Sequence, residues 1–179
     1  MAGFHFNRTK WIALAAVILA AAAAVWFFYF RKDDAAIVRA RLREAAVFVE
    51  KQPGNNLQSI GMARTLGGFF TEDAELSISG EPNGVFVYNV SGRSAIEGGY
   101  AARRPRVSSL TIALSEIGVT FQDPDRKSAT VKCSALVTGS VQDGGDFSEG
   151  RPVSAKMVRG DDGKWRFRSL RAEPAINYD

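Results

Sequence analysis

The most prominent feature of the hydrophobic pattern is a run of 20 residues without a charge, from Trp11 to Phe30. At about 1.5 Å per residue, a helix of this length spans the roughly 30 Å hydrocarbon core of a bilayer. Aromatic residues stand at both ends, where amphipathic rings favour the headgroup boundary. The pattern predicts one transmembrane helix over residues 11–30, with a short tail over 1–10 and a folded domain over 31–179.

A cleaved signal peptide is the alternative for this segment, because A-x-A matches occur between Ala20 and Ala24. The apolar run continues beyond them, however, and a cleavable apolar region is usually only about 7–15 residues long. A retained anchor is therefore favoured. Basic residues lie on both flanks of the run, so the positive-inside rule does not decide its orientation.

After the anchor, apolar positions recur with the helical period of 3.6 residues. Over residues 33–51 they fall on one face, at Val38, Leu42, Ala45 and Val49. A second segment with the same period covers residues 57–70, and the breaker QPGNN separates the two. The pattern predicts two amphipathic helices that pack together.

The period changes to two after residue 70, which is typical of strands. Short strands are predicted at 76–78 and 85–90, then a helix over 92–104 with Ser94 and Glu97 as a capping box. Four long strands follow, at 107–121, at 129–141, around 153–157 and around 165–167. In the first of these, the inward phase flips between Leu114 and Ile117, which predicts a β-bulge at residue 115 or 116 and a curved sheet.

Composition excludes several kinds of site. Hydrophobic residues make up 46% of the chain and charged residues 23%, which are globular values. One His and one Cys do not suffice for a structural zinc site or a disulfide framework, so no metal and no cofactor is expected. The net charge of +4 is small, and the acidic and basic residues after the anchor nearly balance, which argues against nucleic-acid binding.

Three stretches resemble motifs of the nuclear transport factor 2-like superfamily, in which a curved sheet wraps around helices to form a cone with an inner pocket. FFTEDAEL at 69–76 resembles the family's passage from helix to strand, GRSAI at 92–96 its common helix start, and GKWRFRSL at 163–170 its final strand. The resemblance covers about residues 33–175. It implies an α+β fold with an antiparallel sheet, as in SnoaL-like and ketosteroid isomerase-like proteins.

The resemblance also suggests a ligand pocket inside the cone. Its candidate residues are aromatic or acidic: Phe70, Asp73, Phe86, Tyr88, Tyr100 and Trp165. Catalysis is disfavoured, because alignment from Asp73 places Ile78 where the isomerases have their base. The only His, His5, precedes the anchor. We therefore expect no carboxylate in the cone and Asp73 at its rim, and no catalytic residue is assigned.

Two basic clusters are candidates for a partner surface. They are Arg103, Arg104 and Arg106 after a helix, and Lys164, Arg166 and Arg168 along the last strand. The first cluster suits phosphate or acidic lipid, and the second suits a protein partner or an anionic membrane. The alternative for both is an ordinary solvated surface.

A membrane helix followed by a cone resembles the periplasmic, non-catalytic assembly components of bacterial envelope machines, such as the bitopic inner-membrane subunit of type IV secretion systems. We therefore expect a single-pass inner-membrane protein whose periplasmic domain is a non-catalytic binding or assembly module. The alternatives are a membrane-tethered isomerase- or cyclase-like enzyme and a carrier of an apolar small molecule. A protein partner or a second copy is expected, since Ala16, Ala20 and Ala24 would let two anchors approach closely.

Overall fold

The computed structural model describes residues 17–21, 33–52, 59–79, 88–142 and 144–174. Contacts divide the chain into two units, Met1–Asp34 and Ala35–Asp179. In the first unit, residues 17–21 are helical and exposed. Among the residues described, no helix combines the length and the apolarity that a membrane crossing requires. The rest of the predicted span at 11–30 lies outside the described residues.

The described residues form helices and strands in the predicted order. The helices are α1 (Asp34–Val49), α2 (Ser59–Gly67) and α3 (Arg93–Arg103), and a short 3-10 helix follows at Arg104–Arg106. The strands are β1 (Phe70–Ile78), β2 (Tyr88–Ser91), β3 (Val107–Phe121), β4 (Ser128–Val141), β5 (Gly145–Arg159) and β6 (Trp165–Ala172). The predicted α+β class is confirmed.

The strands form one six-stranded sheet in the order β2-β1-β6-β5-β4-β3. Consecutive long strands β3 to β6 pair antiparallel, as the turn-rich connections between them predict. Strand β1 pairs parallel with β6 and antiparallel with β2, so the early hairpin extends the sheet at the far edge. The sheet is therefore mixed, with a single parallel pair.

The predicted bulge in β3 is confirmed. The register with β4 shifts between Ser115 and Gly118, and Glu116 adopts a left-handed conformation with a φ of 53°. The extra residue lets Leu114 and Ile117 face the same side although they are three positions apart. A bulge of this kind bends the strand, which curves the sheet around the helices.

Three predictions about the helices are wrong in detail. Helix α2 ends at Gly67, and Phe70 begins β1, because its backbone pairs with Phe167 of β6. Helix α2 packs chiefly against α3 rather than α1. The N-cap of α3 is Gly92, with a φ of 90°, and no side chain bonds to the cap, so the predicted capping box does not form.

The interior differs between the two ends of the sheet. At the end of β4 that holds Val131, side chains fill the interior, with Met157 and Phe167 fully buried and Val38 of α1 packed among them. Aromatic rings add to this core, with Phe70 and Phe167 at 5.4 Å between centroids. The bulge in β3 marks the point beyond which the interior widens into a cavity.

Candidate functional site

A cavity of about 300 Å³ lies between the sheet, α1 and α3. Strands β3, β4 and β5 form much of its wall. The inward residues that line it lie on the side of the β3 bulge away from the filled core. These are Leu110, Ile112, Leu114, Ala135, Val137, Phe147, Glu149, Arg151 and Val153. Most lining side chains are apolar, and the volume is at the lower end of the range for small-molecule sites.

Helix α3 contributes one continuous face to the cavity. Its lining residues follow the three- and four-residue spacing of a single helical face, at Ile96, Gly99, Tyr100 and Arg103, and Arg104 continues this face at the start of the 3-10 helix. Two arginines predicted for an outer partner surface therefore lie at the cavity wall. Arg106 is exposed and does not line the cavity.

Tyr88 of β2 lies across α3. Its hydroxyl donates to the main-chain oxygen of Ala95 at 2.7 Å, and the Arg103 guanidinium stacks over its ring at 4.2 Å. Gly99 permits this arrangement, because a Cβ at that position would collide with the Tyr88 hydroxyl. Burial raises the pKa of Tyr88 above its ordinary value, so the hydroxyl stays protonated at neutral pH.

Tyr100 has a different hydrogen-bonding state from Tyr88. Its hydroxyl oxygen is buried, and no residue in the described part of the chain bonds to it. The Arg104 guanidinium lies 5.2 Å from its ring centroid. Burial raises the pKa of Tyr100, although Arg104 opposes the shift. Tyr100 therefore offers a neutral donor at the cavity wall.

Lys51 follows α1 and is only 4% exposed. Its main chain pairs with Leu110 of β3 through two hydrogen bonds of 2.9 Å. Its ammonium donates to the main-chain oxygen of Val107 at 2.5 Å and to that of Arg104 at 3.2 Å. Burial, and then the nearby Arg104 charge, lower the pKa of Lys51. Sequence analysis missed this residue, because nothing in the local pattern marks a lysine for burial.

An ion pair lies on the β5 wall of the cavity. Arg151 donates through Nε to Glu149 Oε2 at 2.7 Å and through Nη2 to the same oxygen, and it also donates to the Ser79 main chain. The expectation that no carboxylate lies in the cone is therefore wrong. The signal was present in the alternation of Phe147, Glu149, Arg151 and Val153 along β5.

The predicted aromatic pocket residues fall in three groups. Phe70, Tyr88 and Tyr100 line the cavity. Trp165 is 2% exposed but belongs to the filled core, where it packs against Phe121 at 6.1 Å between centroids. Phe86 lies outside the described residues.

Asp73 lies outside the cavity lining, on the exposed part of β1. Its carboxylate is 3.6 Å from Nε of Arg168, and both side chains are more than half exposed. A hydrogen bond from the Thr71 hydroxyl is the main cause that lowers the pKa of Asp73. In this position Asp73 is an exposed ion-pair partner and does not face the cavity.

The second basic cluster lies outside the cavity. Arg166 donates to both carboxylate oxygens of Asp162, at 2.9 and 2.7 Å, while Lys164 is exposed. The contacts with Arg166 lower the pKa of Asp162 to about 2. Arg166 is thus held across the β5–β6 turn.

The described residues contain no group of three His, Cys, Asp or Glu side chains placed to hold a metal. Cys133 is buried on β4, and burial raises the pKa of its thiol, so it is a weak nucleophile. The cavity surface is almost entirely apolar, and the residues around it include one unbonded hydroxyl and several cations, which suits binding of a small, mainly apolar molecule with a polar end.

Comparison with solved structures supports the cone fold. An NTF2-like protein with a cystatin-like fold from Novosphingobium aromaticivorans has a TM-score of 0.59 at 17% identity, over 98% of this chain and 94% of that one. A hexachlorocyclohexane dehydrochlorinase, LinA-type3, from Novosphingobium barchaimii has a TM-score of 0.59 at 16% identity, over 80% and 86%. A protein provisionally named scytalone dehydratase, from N. aromaticivorans, has a TM-score of 0.61 at 16% identity, over 80% and 87%.

At these identities the likeness shows the fold alone. No curated protein sequence matches the chain. The profile of the SnoaL-like domain, in contrast, matches residues 57–171, which include every described strand of the sheet up to Arg171 in β6. The motifs at 69–76, 92–96 and 163–170 all lie within or at the edge of that match. The chain therefore belongs to the SnoaL-like domain family.

Proposed function

We propose that this protein is a membrane-tethered, non-catalytic binding module whose cone holds an apolar small molecule. The observation that carries the proposal is the apolar cavity of about 300 Å³. This is about twice the volume of an engineered 150 Å³ cavity that binds benzene, so a two-ring ligand is a suitable size. Each Å² of apolar ligand surface buried there would contribute roughly 25 cal/mol.

The bonding state of the polar groups supports binding rather than catalysis. A general base must reach the proton that it removes with a free lone pair. Glu149 is paired with Arg151, and the Tyr88 hydroxyl is bonded to the Ala95 main chain. The Tyr88 hydroxyl would lose its main-chain bond if it gave up its proton, and Arg151 occupies Oε2 of Glu149, so only Oε1 could accept a proton with the ion pair intact.

The membrane tether and the location also belong to this proposal. The uncharged run at 11–30 has the length of one membrane crossing. Its resemblance to bitopic envelope components favours the bacterial inner membrane, with the SnoaL-like domain in the periplasm. In that position the cavity would receive apolar compounds that pass through the cell envelope.

A protein partner or a second copy would contact the outer surface. Lys164 and Arg168 are exposed at and beside β6, which makes them the best-placed residues of the predicted basic surface. Arg168→Glu should weaken association of the full chain in detergent, as measured by sedimentation velocity, whereas the cavity substitution Ala135→Phe should not. Equal association of wild type and Arg168→Glu would remove this surface from the proposal.

Two matched substitutions, each of an alanine by phenylalanine, test the binding function. Ala135→Phe would fill part of the cavity, whereas Ala113→Phe adds the same ring on the exposed face of β3. Equilibrium dialysis of the full chain in lipid nanodiscs, against nanodiscs without protein, measures binding of neutral 2-acetylnaphthalene. We expect saturable binding by wild type and Ala113→Phe and a loss of about tenfold or more in Ala135→Phe. No saturable binding by wild type would overturn the proposal.

Acid–base catalysis is the second candidate, because Glu149 places a carboxylate at the cavity wall. The dehydratase and dehydrochlorinase names of two structural neighbours favour this class. Glu149 would remove a proton from the carbon beside a carbonyl and return it. Deuterium exchange into 2-tetralone, followed by NMR, tests the step. We expect no acceleration over buffer, and an acceleration that Glu149→Gln abolishes would replace binding by catalysis.

A further inference from the structure

Three cations lie together on one side of the cavity. Lys51 follows α1, and Arg103 and Arg104 end α3 and begin the 3-10 helix. Within the described ranges, none of the three forms an ion pair with a carboxylate. Glu149 is the acid at the cavity wall, and it is already paired with Arg151 on β5. This side of the cavity therefore carries uncompensated positive charge.

Main-chain carbonyls orient two of the cations without neutralising them. Arg104 donates to the main-chain oxygens of Val49 and Glu50 at 2.8 and 2.9 Å. The ammonium of Lys51 donates to Val107 and to Arg104 itself. These bonds hold both groups in place at the end of α1, but a carbonyl dipole does not cancel a full charge. An anion in the cavity would do so.

Arg103 is the cation best placed to receive that anion. The carbon of its guanidinium lies over the Tyr88 ring, 4.2 Å from the centroid, and no hydrogen bond from its side chain is seen within the described residues. The contact with the ring leaves the N–H groups of the guanidinium to bind a ligand. A guanidinium has the fork geometry that binds a carboxylate with two parallel hydrogen bonds.

Tyr100 supplies a second donor near Arg103. The two residues are three positions apart on α3, which places both on the face of the helix that lines the cavity. The Tyr100 hydroxyl is buried and has no partner in the described part of the chain. A buried hydroxyl without a partner destabilises the fold, and a bond to a ligand oxygen would relieve that cost.

We propose that the ligand is an anionic amphiphile, whose apolar body fills the cavity and whose carboxylate is bound by Arg103 and the Tyr100 hydroxyl. This inference rests on the proposed binding function and adds the chemical class of the ligand. The neighbouring charges of Lys51 and Arg104 favour the anion without contacting it directly. The Glu149–Arg151 pair is neutral overall and does not oppose it.

Three probes with the same two-ring body and different charge test this inference. They are 2-naphthoate, neutral 2-naphthamide and cationic 2-naphthylmethylammonium, each measured by equilibrium dialysis with the full chain in nanodiscs. Bonds to a charged group exceed those to a neutral one, so wild type should bind naphthoate about tenfold more tightly than naphthamide. The ammonium probe should bind more weakly than either.

Three substitutions test which residues bind the carboxylate of the ligand. Arg103→Gln should bring naphthoate affinity to within about threefold of naphthamide affinity, while naphthamide binding persists and shows that the variant folds. Tyr100→Phe should weaken both probes, since both present an oxygen acceptor. Arg106→Gln removes an exposed arginine from the same cluster and should leave the preference for naphthoate unchanged.

Two results would overturn the inference. If wild type binds naphthoate and naphthamide equally well, or if Arg103→Gln keeps the preference, the ligand class is wrong while the binding function stands. If none of the three probes and no neutral apolar probe binds, the proposed binding function fails as well. The two failures are therefore distinguishable in one set of measurements.

Discussion

Glu149 and Arg151 lie two positions apart on β5, and their side chains pair inside the cavity with exposures of only 12% and 5%. Alternate residues of a strand face the same side, so the pair is built into the pleat of β5. Each charge is largely withdrawn from water. Removal of either partner would leave the other as an uncompensated buried charge.

Arg151→Met should therefore lower the free energy of unfolding by about 3–5 kcal/mol, because it leaves the buried Glu149 charge without a partner. The double variant Glu149→Leu with Arg151→Met removes both charges and should recover most of that loss. Urea denaturation followed by circular dichroism measures both. A double variant as unstable as Arg151→Met alone would show that the arginine acts through its bond to Ser79 instead.

Phe167 tests the filled end of the cone. It is 0% exposed and its ring lies 5.4 Å from that of Phe70. Phe167→Ala should cost about 3–5 kcal/mol of unfolding free energy, since it removes a large buried side chain and leaves a cavity. Leu136→Ala is the control, because Leu136 is 47% exposed, and its effect should be small. Equal losses in the two variants would contradict the assigned core.

The bulge in β3 places Glu116 in the left-handed region, with a φ of 53°. This conformation costs an L-residue other than glycine roughly 1–2 kcal/mol. Glu116→Gly should therefore raise the free energy of unfolding. The net gain should be about 0.5–1 kcal/mol, because glycine also makes the unfolded chain more flexible and this offsets part of the relieved strain. Thr111→Gly, at an exposed extended position of the same strand, should lower it. Destabilisation by both glycines would argue against the bulge.

The turn between β5 and β6 should be sensitive to acid. Arg166 lowers the pKa of Asp162 to about 2 from its ordinary value of 3.8. A carboxyl whose pKa is lower in the folded state stabilises that state above pH 3.8, and the effect is lost as the pH falls towards 2. Wild type should have a slightly higher Tm than Asp162→Asn at pH 6, and the difference should vanish near pH 2. A difference that is independent of pH would exclude this ion pair as its cause.

Export of the domain is tested by fusion. A reporter that is active only after export, joined after Asp179, should be active if the run at 11–30 is a retained anchor and the domain is periplasmic. The fusion protein should also remain in the membrane fraction at its full size. Activity solely from a reporter that works in the cytoplasm would reverse the proposed location.

Much of the fold could be predicted because each element shows its own period. The apolar face of α1, the alternation along β4 and the phase flip at the bulge are local patterns. Errors occurred where tertiary pairing overrides local preference. Phe70 continues the apolar pattern of a helix, but its backbone pairs with β6 and begins a strand instead.

The candidate site was predictable only in part. Tyr88 and Tyr100 could be assigned to the cone from their positions, and both line the cavity. Trp165 also faces inward, yet it lies in the filled core. The alternation along a strand predicts which side of the sheet a residue faces, but not how far along the cone it lies. Lys51 and the Glu149–Arg151 pair were missed, since a charged side chain is expected at the surface unless its partner is known.

The sequence by itself determined the order of helices and strands, their inward faces and the bend in β3, because these depend on neighbours within a few positions of the chain. Only the tertiary structure decided that the cone is filled at one end and hollow at the other. That division depends on which side chains of the helices and of the six strands meet at the same level of the cone. Burial of Lys51 and of the Arg151 charge follows from the same long-range packing, which brings main-chain carbonyls from distant segments to both side chains.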